Sequence, residues 1–516
     1  MATTQQIIGT WILILLYSAA IIYLVAKGAR KIKSMKDYAV GSVTFSPVFV
    51  GLSLAAAMTS AATFVINPGL IAVYGISGFL SFGVFFPIAS LVSLVVLTKS
   101  FRKYGTSVSA VSLASWIGKR YNSTGYSLFI AILSVLLITF IVLILVALAK
   151  VLSQALNTDP IYTLAIMVVF VFIYMMFGGA NSMVYTNTIQ AGIMLVVAVI
   201  LITAGYEHLK DGIGAFFSKL AAIDPALVKP TNPGSSLFRD FYEIIFVQLI
   251  VGAAVVCQPH IMTKSLMLKK ESDVNRYLVT SVIVQGLFYL VVIAGLWARL
   301  SFPDMTSNGK PLGVDGMIPA FVVKVFSSGW LAVSVGILVI MGLLSAGLST
   351  LEGLIQSVST TFTEDIAKPL FGSKINGDKS YVLINRVTII VMGIISFILA
   401  RNQILSPNLS VAIFAQNGVY AFFSVTFIPI VFGIFVKDSK LKSSLAGSIT
   451  ALVVYFLVYY GFPYLVNNHI ADFGFINRYL EGTVRNPAIA ASTAIIFSFI
   501  VGISVHLMSK KKVSLT

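Results

Sequence analysis

Long apolar stretches separated by short polar segments recur along the whole chain. A run of about 20 apolar residues is long enough to cross the hydrocarbon core of a bilayer as a helix. The pattern therefore predicts an all-α polytopic membrane protein with about 13 transmembrane helices, called spans 1 to 13 in chain order. The spans are predicted near residues 5–27, 46–75, 78–98, 124–155, 160–178, 184–206, 241–263, 275–298, 328–362, 383–401, 408–435, 442–462 and 487–508.

Composition supports lipid as the solvent for much of this surface. Of the 516 residues, 58% are hydrophobic and only 10% are charged. Soluble domains are roughly 45–50% apolar and about 25% charged, so a soluble protein is excluded. The net charge of +17 is spread over short segments between the apolar runs, which argues against a nucleic-acid partner.

The basic residues predict the orientation in the membrane. Alternate segments between the spans hold 24 of the 35 Lys and Arg residues. Because cytoplasmic loops carry the excess of basic residues, we expect these segments on the inner side of the plasma membrane. The N-terminus is then outside and the C-terminus is cytoplasmic. The segments are 27–36, 99–120, 264–276, 368–386, 437–442 and 510–512.

Two of the predicted spans contain helix-breaking residues. Span 2 carries Asn67-Pro68-Gly69, and span 7 carries Pro259 between Gln258 and His260. Spans 2 and 7 are five helices apart, so two five-helix repeats starting at these spans would have opposite orientations in the membrane. Interrupted helices at matching positions of inverted repeats point to the binding site of a secondary transporter.

Span 9 carries a polar face in the stretch "LLSAGLSTLEGLIQ", residues 343–356. At about 100° per residue, Ser345, Ser349, Glu352 and Gln356 fall on one side and the leucines on the other. An ionisable group within a span suggests function. The hydroxyls of Ser349 and Thr350 suit a hard cation of low charge. Carbonyls of a broken helix would complete a shell for Na⁺.

Four motifs together resemble the sodium:solute symporter family. They are "AAAMTSAATFVINPG", "FGGANSMVYTNTIQAG", "QPHIMTKSL" and "SAGLSTLEG" followed by "TEDI". The resemblance implies a leucine-transporter-like core of two inverted five-helix repeats, with the first and sixth core helices broken. It assigns residues 1–45 to an extra helix and the first cytoplasmic loop, 46–435 to the core, and 436–516 to two further helices and the tail.

The resemblance also implies a sodium site and a coupling ion. The ligands would be the carbonyls of Ala56, Thr59 and Ala346 and the hydroxyls of Ser349 and Thr350. Na⁺ is expected as coupling ion, with no organic cofactor. Many members have Asp where this chain has Asn187, so a second sodium site is not expected.

The expected activity is Na⁺-coupled symport of a small organic solute into the cell. The "QPH" segment and "AAIDPALVKP" at 221–230 most resemble the pantothenate and monocarboxylate branch, which favours an organic anion. Na⁺, the solute and membrane lipid are the expected partners, and no obligatory protein partner is evident. Candidate solute contacts are Ser60, Thr63, Gln258, His260, Glu352 and Gln416.

Several alternatives stay open at this point. The carrier could be coupled to protons through Glu352, which could also contact solute or lie in an inner vestibule. A transporter-like sensor, an intramembrane enzyme and a channel are other classes. The spans offer few clustered His, Asp or Glu residues for catalysis, and no GxxxxGK[ST] phosphate loop occurs. We therefore expect a transporter and no enzyme.

Overall fold

The computed structural model describes residues 2–307, 309–372, 377–406, 410–436 and 438–513, with side chains up to residue 510. Parts of the predicted basic segments 368–386, 437–442 and 510–512 lie outside the described residues. So do the first residues of predicted span 11 and the end of the predicted C-terminal tail.

Helices long and apolar enough to cross a membrane account for most of the described chain. Ten are continuous, and two more spans are pairs of helices that meet at a sharp bend. In order they are Thr4–Ala29, Pro47–Met58 with Ala62–Tyr74, Ile76–Ser107, Thr124–Leu156, Pro160–Leu209, Tyr242–Val255 with Pro259–Met267, Asp273–Ser301, Trp330–Phe371, Asp378–Leu405, Val411–Phe435, Leu441–Asn467 and Pro487–Lys510.

The helix Pro160–Leu209 comprises the two predicted spans 5 and 6. Gly179 interrupts it with φ 58° and ψ −168°, a conformation that is essentially restricted to glycine. The ends of both arms lie on the same side. Thr163 contacts the C-terminal part of span 4 at Ala149, and Ile202 accepts a bond from Trp297 in the C-terminal part of span 8. Counting the arms separately gives the predicted thirteen spans in the described residues.

Span 2 is broken, but not where the sequence predicted. Asn67 and Pro68 begin a regular helix, and a π-helical turn at Ala62–Ile66 precedes them. A wider turn removes the clash between a proline ring and the carbonyl four residues earlier. The helix instead ends at Met58, Thr59 is extended, and the two arms meet at 54°. The predicted break at Asn67-Pro68-Gly69 is therefore wrong by about two turns.

Span 7 breaks where the sequence predicted. The first arm ends at Val255, Gln258 is extended with ψ 145°, and Pro259 opens the second arm. The two arms meet at 58°. Proline at the first helical position loses no hydrogen bond, because that N–H has no partner in a helix.

Span 9 lies at the centre of the protein. Every residue from Val339 to Thr361 is buried, so the leucine face of this span meets protein as well as the polar face. Span 1, by contrast, is largely exposed on its surface. Such exposure of apolar side chains is expected for a helix at the lipid boundary.

Short elements connect the spans. Between spans 6 and 7 they are Ile213–Ile223 and Pro225–Val228, and between spans 8 and 9 they are the antiparallel strand pair Thr306–Ser307 and Lys310–Pro311 and the helix Met317–Val325. Met35–Val40 lies between spans 1 and 2, and Leu113–Arg120 lies between spans 3 and 4. Lys150 forms an ion pair with Asp315, which lies between spans 8 and 9.

The turn between spans 5 and 6 gives a test of the fold. A Cβ atom at Gly179 would lie 2.8 Å from Tyr38 Cδ2 in a strained backbone conformation. We expect Gly179→Ala to lower the free energy of unfolding by roughly 1–3 kcal/mol. The measurement is the thermal unfolding midpoint of the purified protein in detergent. Gly192→Ala is the control, because a Cβ there meets open space; equal midpoints for both variants would contradict the turn.

Candidate functional site

The break in span 2 faces the middle of span 9. The Ser349 hydroxyl donates to the Ala56 carbonyl at 2.8 Å, and the Thr350 hydroxyl donates to the Ala57 carbonyl at 2.9 Å. Both hydroxyls also approach the Ala346 carbonyl, at 3.2 and 3.4 Å. The structure thus brings together Ala56, Ala346, Ser349 and Thr350, and adds Ala57, which sequence reasoning missed.

These oxygens fit a sodium ion by chemistry. All belong to fully buried residues and carry no formal charge, and neutral oxygens are suitable ligands for a hard cation. The carbonyls of Ala56 and Ala57 belong to the last turn of the first arm, where a continuous helix would bond them internally. Thr59 lies at the break, and its buried hydroxyl has no partner among the described residues.

A cavity of about 100 Å³ lies between the two broken spans, next to this cluster. Its wall is mostly apolar and aromatic. Its polar members include five of the six predicted solute contacts: Ser60, Thr63, Gln258, His260 and Gln416. Glu352 does not line this cavity.

Two fully buried polar atoms in the cavity wall have no partner within the described protein. They are Oε1 of Gln258 and Nδ1 of His260, each on a side chain that is 2% exposed. Leaving a buried polar atom unpaired costs about 1–3 kcal/mol. Such atoms beside a cavity are suited to bind a polar group of a ligand.

Glu352 lies in a separate cluster, on the side of span 9 that faces spans 5 and 6. Its Oε1 accepts hydrogen bonds from Tyr174 at 2.7 Å and Gln190 at 3.0 Å. Its Oε2 accepts one from Thr186 at 2.7 Å. The side chain is 1% exposed. This carboxylate is therefore surrounded by donors from two neighbouring spans.

Asn187 connects Glu352 to a second buried charge. With its amide oriented to satisfy its neighbours, Nδ2 donates to Glu352 Oε2 at 3.0 Å and Oδ1 accepts from Lys264 Nζ at 2.9 Å. The reverse orientation would turn its oxygen toward acceptors. Lys264 also donates to the carbonyl and hydroxyl of Ser53 in span 2.

The position of Lys264 corrects the sequence interpretation. We counted it among the basic residues of a cytoplasmic loop, but it lies in the second arm of span 7 and is 1% exposed. Lys264 follows His260 by four residues on the same short helical arm, and this spacing could have indicated that it lies within span 7. The spans therefore contain a fully buried lysine.

Two broken helices that surround a solute-sized cavity, beside a cluster of neutral oxygens, define an ion-coupled secondary transporter. Residues 38–451 match the model of the sodium:solute symporter family. The chain belongs to this family, whose members use Na⁺ as coupling ion, and it is a membrane transporter rather than an enzyme.

Relatives and a solved structure agree with this assignment. The chain is 26% identical to the sodium/pantothenate symporter of Haemophilus influenzae over 432 residues, which is 82% of this chain and 84% of that protein. It is 24% identical to the sodium/proline symporter of Staphylococcus aureus, covering 88% and 87%. A Na⁺-coupled sialic acid symporter in a substrate-bound outward-open state matches with a TM-score of 0.73 and 18% identity, covering 97% and 98%. The predicted leucine-transporter-like fold is confirmed.

The donors around Glu352 generate a prediction. Tyr174→Phe removes one charge-assisted hydrogen bond from a buried carboxylate, and we expect a loss of about 1.5–3 kcal/mol of stability. Thermal unfolding of the purified protein measures the effect. Tyr162→Phe is the matched control, because Tyr162 lies on the same helix and is 72% exposed. An unchanged midpoint for Tyr174→Phe would contradict the described hydrogen bond.

Proposed function

We propose that this carrier couples the entry of a small organic anion, preferably a short monocarboxylate, to Na⁺ moving down its gradient. Na⁺ would bind between spans 2 and 9. Its ligands would be the five predicted oxygens, of Ala56, Thr59, Ala346, Ser349 and Thr350, together with the Ala57 carbonyl. The observation that carries the proposal is the pairing of the Ser349 and Thr350 hydroxyls with carbonyls at the span 2 break.

The position of this ion site explains how Na⁺ binding would be coupled to binding of the organic solute. Ala56 and Ala57 lie in the last turn of the first arm of span 2, and Ser60 and Thr63, which line the cavity, follow within two turns. A cation that draws the carbonyls toward span 9 also orders the break on which the solute contacts lie. Ion and solute thus stabilise the same arrangement of span 2, so each raises the affinity for the other.

The cavity supports a small solute with a polar head. The cavity volume of about 100 Å³ is smaller than the roughly 300–1,000 Å³ of ordinary ligand sites. A short monocarboxylate therefore fits better than pantothenate. The hydroxyls of Ser60 and Thr63 and the amide of Gln416 can donate to a carboxylate. Apolar residues such as Phe140 and Val419 would contact its alkyl part.

The likeness to a sodium/pantothenate symporter supports an organic anion over a sugar. The charge pattern supports the plasma membrane as location, with the N-terminus outside and the C-terminus in the cytoplasm. Lys264 no longer counts toward that pattern, but 23 of the 24 basic residues in the inner segments remain. The grouping into residues 1–45, 46–435 and 436–516 remains part of the proposal.

Uptake by reconstituted vesicles tests the function. The panel contains labelled short monocarboxylates, pantothenate, amino acids and sugars, with an inward gradient of NaCl or of choline chloride at the same pH. We expect uptake of a short monocarboxylate to be lowered at least about tenfold in choline, because Na⁺ supplies the driving force.

The outcomes separate the two parts of the proposal. Undiminished uptake in choline would contradict sodium coupling. Sodium-dependent uptake restricted to sugars or uncharged amino acids would contradict the anion and leave sodium coupling intact. Protein-free vesicles and an imposed pH gradient without Na⁺ serve as controls for leak and for proton coupling.

A further inference from the structure

The ammonium of Lys264 is surrounded by oxygen atoms, as a bound metal ion would be. Its ammonium donates to the Ser53 carbonyl at 3.0 Å, to the Ser53 hydroxyl at 2.6 Å and to Asn187 Oδ1 at 2.9 Å. An ammonium has three donor hydrogens and no acceptor, so all three are used. Three oxygens therefore converge on one buried positive charge.

The negative charge that balances this ammonium is that of Glu352, on the other side of the Asn187 side chain. The same Asn187 amide donates from its Nδ2 atom to the Oε2 atom of Glu352, at 3.0 Å. Among the described residues, no direct salt bridge joins Lys264 to Glu352. The Asn187 amide dipole instead points its oxygen at the cation and its nitrogen at the anion. Burying a charge costs much free energy unless the charge is compensated and hydrogen-bonded; here hydrogen bonds satisfy both groups, and the Asn187 amide links them.

This charge pair lies next to the proposed sodium site, because Lys264 contacts span 2 and Glu352 belongs to span 9. Ser53 is three residues before Ala56 on span 2, and Glu352 is three residues after Ser349 on span 9. Three residues are nearly one helical turn. The structure thus has two cation positions about one turn apart along span 2. The first lies between spans 2 and 9, and the second lies between spans 2 and 6, with Glu352 of span 9 on the far side of Asn187.

We propose that this second position is an alkali-cation site that the ammonium of Lys264 occupies permanently. Its ligands are the carbonyl and hydroxyl of Ser53 and the side-chain oxygen of Asn187, and its counter-charge is Glu352. The inference rests on the proposed sodium coupling. It adds that one mobile Na⁺ accompanies each solute, because the protein supplies the other cation itself.

Binding of radioactive ²²Na⁺ to the purified carrier in lipid nanodiscs tests this without knowledge of the solute. We expect wild type to bind one ion per chain. In Lys264→Ala the ammonium is gone while the oxygens and Glu352 remain, so a second Na⁺ should bind. Lys264→Met is the matched control: it keeps the length of the side chain and fills the position with apolar atoms, so one ion should bind.

Two double variants assign the ions to their positions. Lys264→Ala with Ser349→Ala should bind one ion, at the position of the missing ammonium. Lys264→Ala with Glu352→Gln should also bind one, at Ser349, because the counter-charge of the second site is gone. Two ions bound by the Lys264→Ala, Glu352→Gln protein would overturn the assignment of Glu352.

The remaining outcomes distinguish failure of the second cation site from failure of the proposed sodium coupling. Two ions bound by wild type, or only one by Lys264→Ala, would overturn the inference and leave sodium coupling intact. No ion bound by wild type would overturn sodium coupling itself. The wild-type measurement requires no substitution, so the inference remains falsifiable if Lys264→Ala does not fold.

Discussion

Backbone carbonyls at membrane depth must find a partner inside the protein, and the centre of this structure depends on that constraint. Hydrocarbon offers no hydrogen bond, so a broken helix survives only where protein or a polar cavity replaces the lost bonds. In span 2 the last turn before the break exposes the carbonyls of Ala56 and Ala57. Span 9 supplies the hydroxyls of Ser349 and Thr350 to meet them. Span 9 is therefore central and completely buried in its middle.

The same constraint applies to charge. Glu352 and Lys264 would each be costly alone at this depth, and the polar groups of Tyr174, Thr186 and Asn187 allow both to be buried. Under this account the carrier's own charges cancel within the site. One Na⁺ moving with one monovalent anion would then carry no net charge. The membrane potential, worth about 2.3 kcal/mol per charge per 100 mV, would act little on the coupled step, and the sodium concentration gradient would drive it.

Features set by local sequence could be predicted. Apolar run length predicted thirteen spans, and Pro259 marked the break in span 7 because a proline acts on its own helix. Helical periodicity placed Ser349 and Thr350 on one polar face. The break in span 2 was misplaced, because a π-helical turn accommodates Pro68 while Thr59 leaves the helix without any breaker residue. Only the tertiary environment selects that position.

Contacts between distant spans could not be predicted. The partners of Glu352 come from positions at least 162 residues away in the chain, and periodicity carries no information on such pairings. Lys264 looked like a loop residue because only Ser53 and Asn187, on two other spans, make its burial possible. The Ala57 carbonyl was missed for a similar reason: a carbonyl becomes a ligand through the local backbone, which its side chain does not specify.

The most direct measurement is a pair of high-resolution cryo-electron microscopy maps of the carrier, one in NaCl and one in choline chloride. The account predicts density within the oxygens of Ala56, Ala57, Ala346, Ser349 and Thr350 in sodium, and its absence in choline. Sodium-dependent density at any other position, with none between spans 2 and 9, would contradict the account.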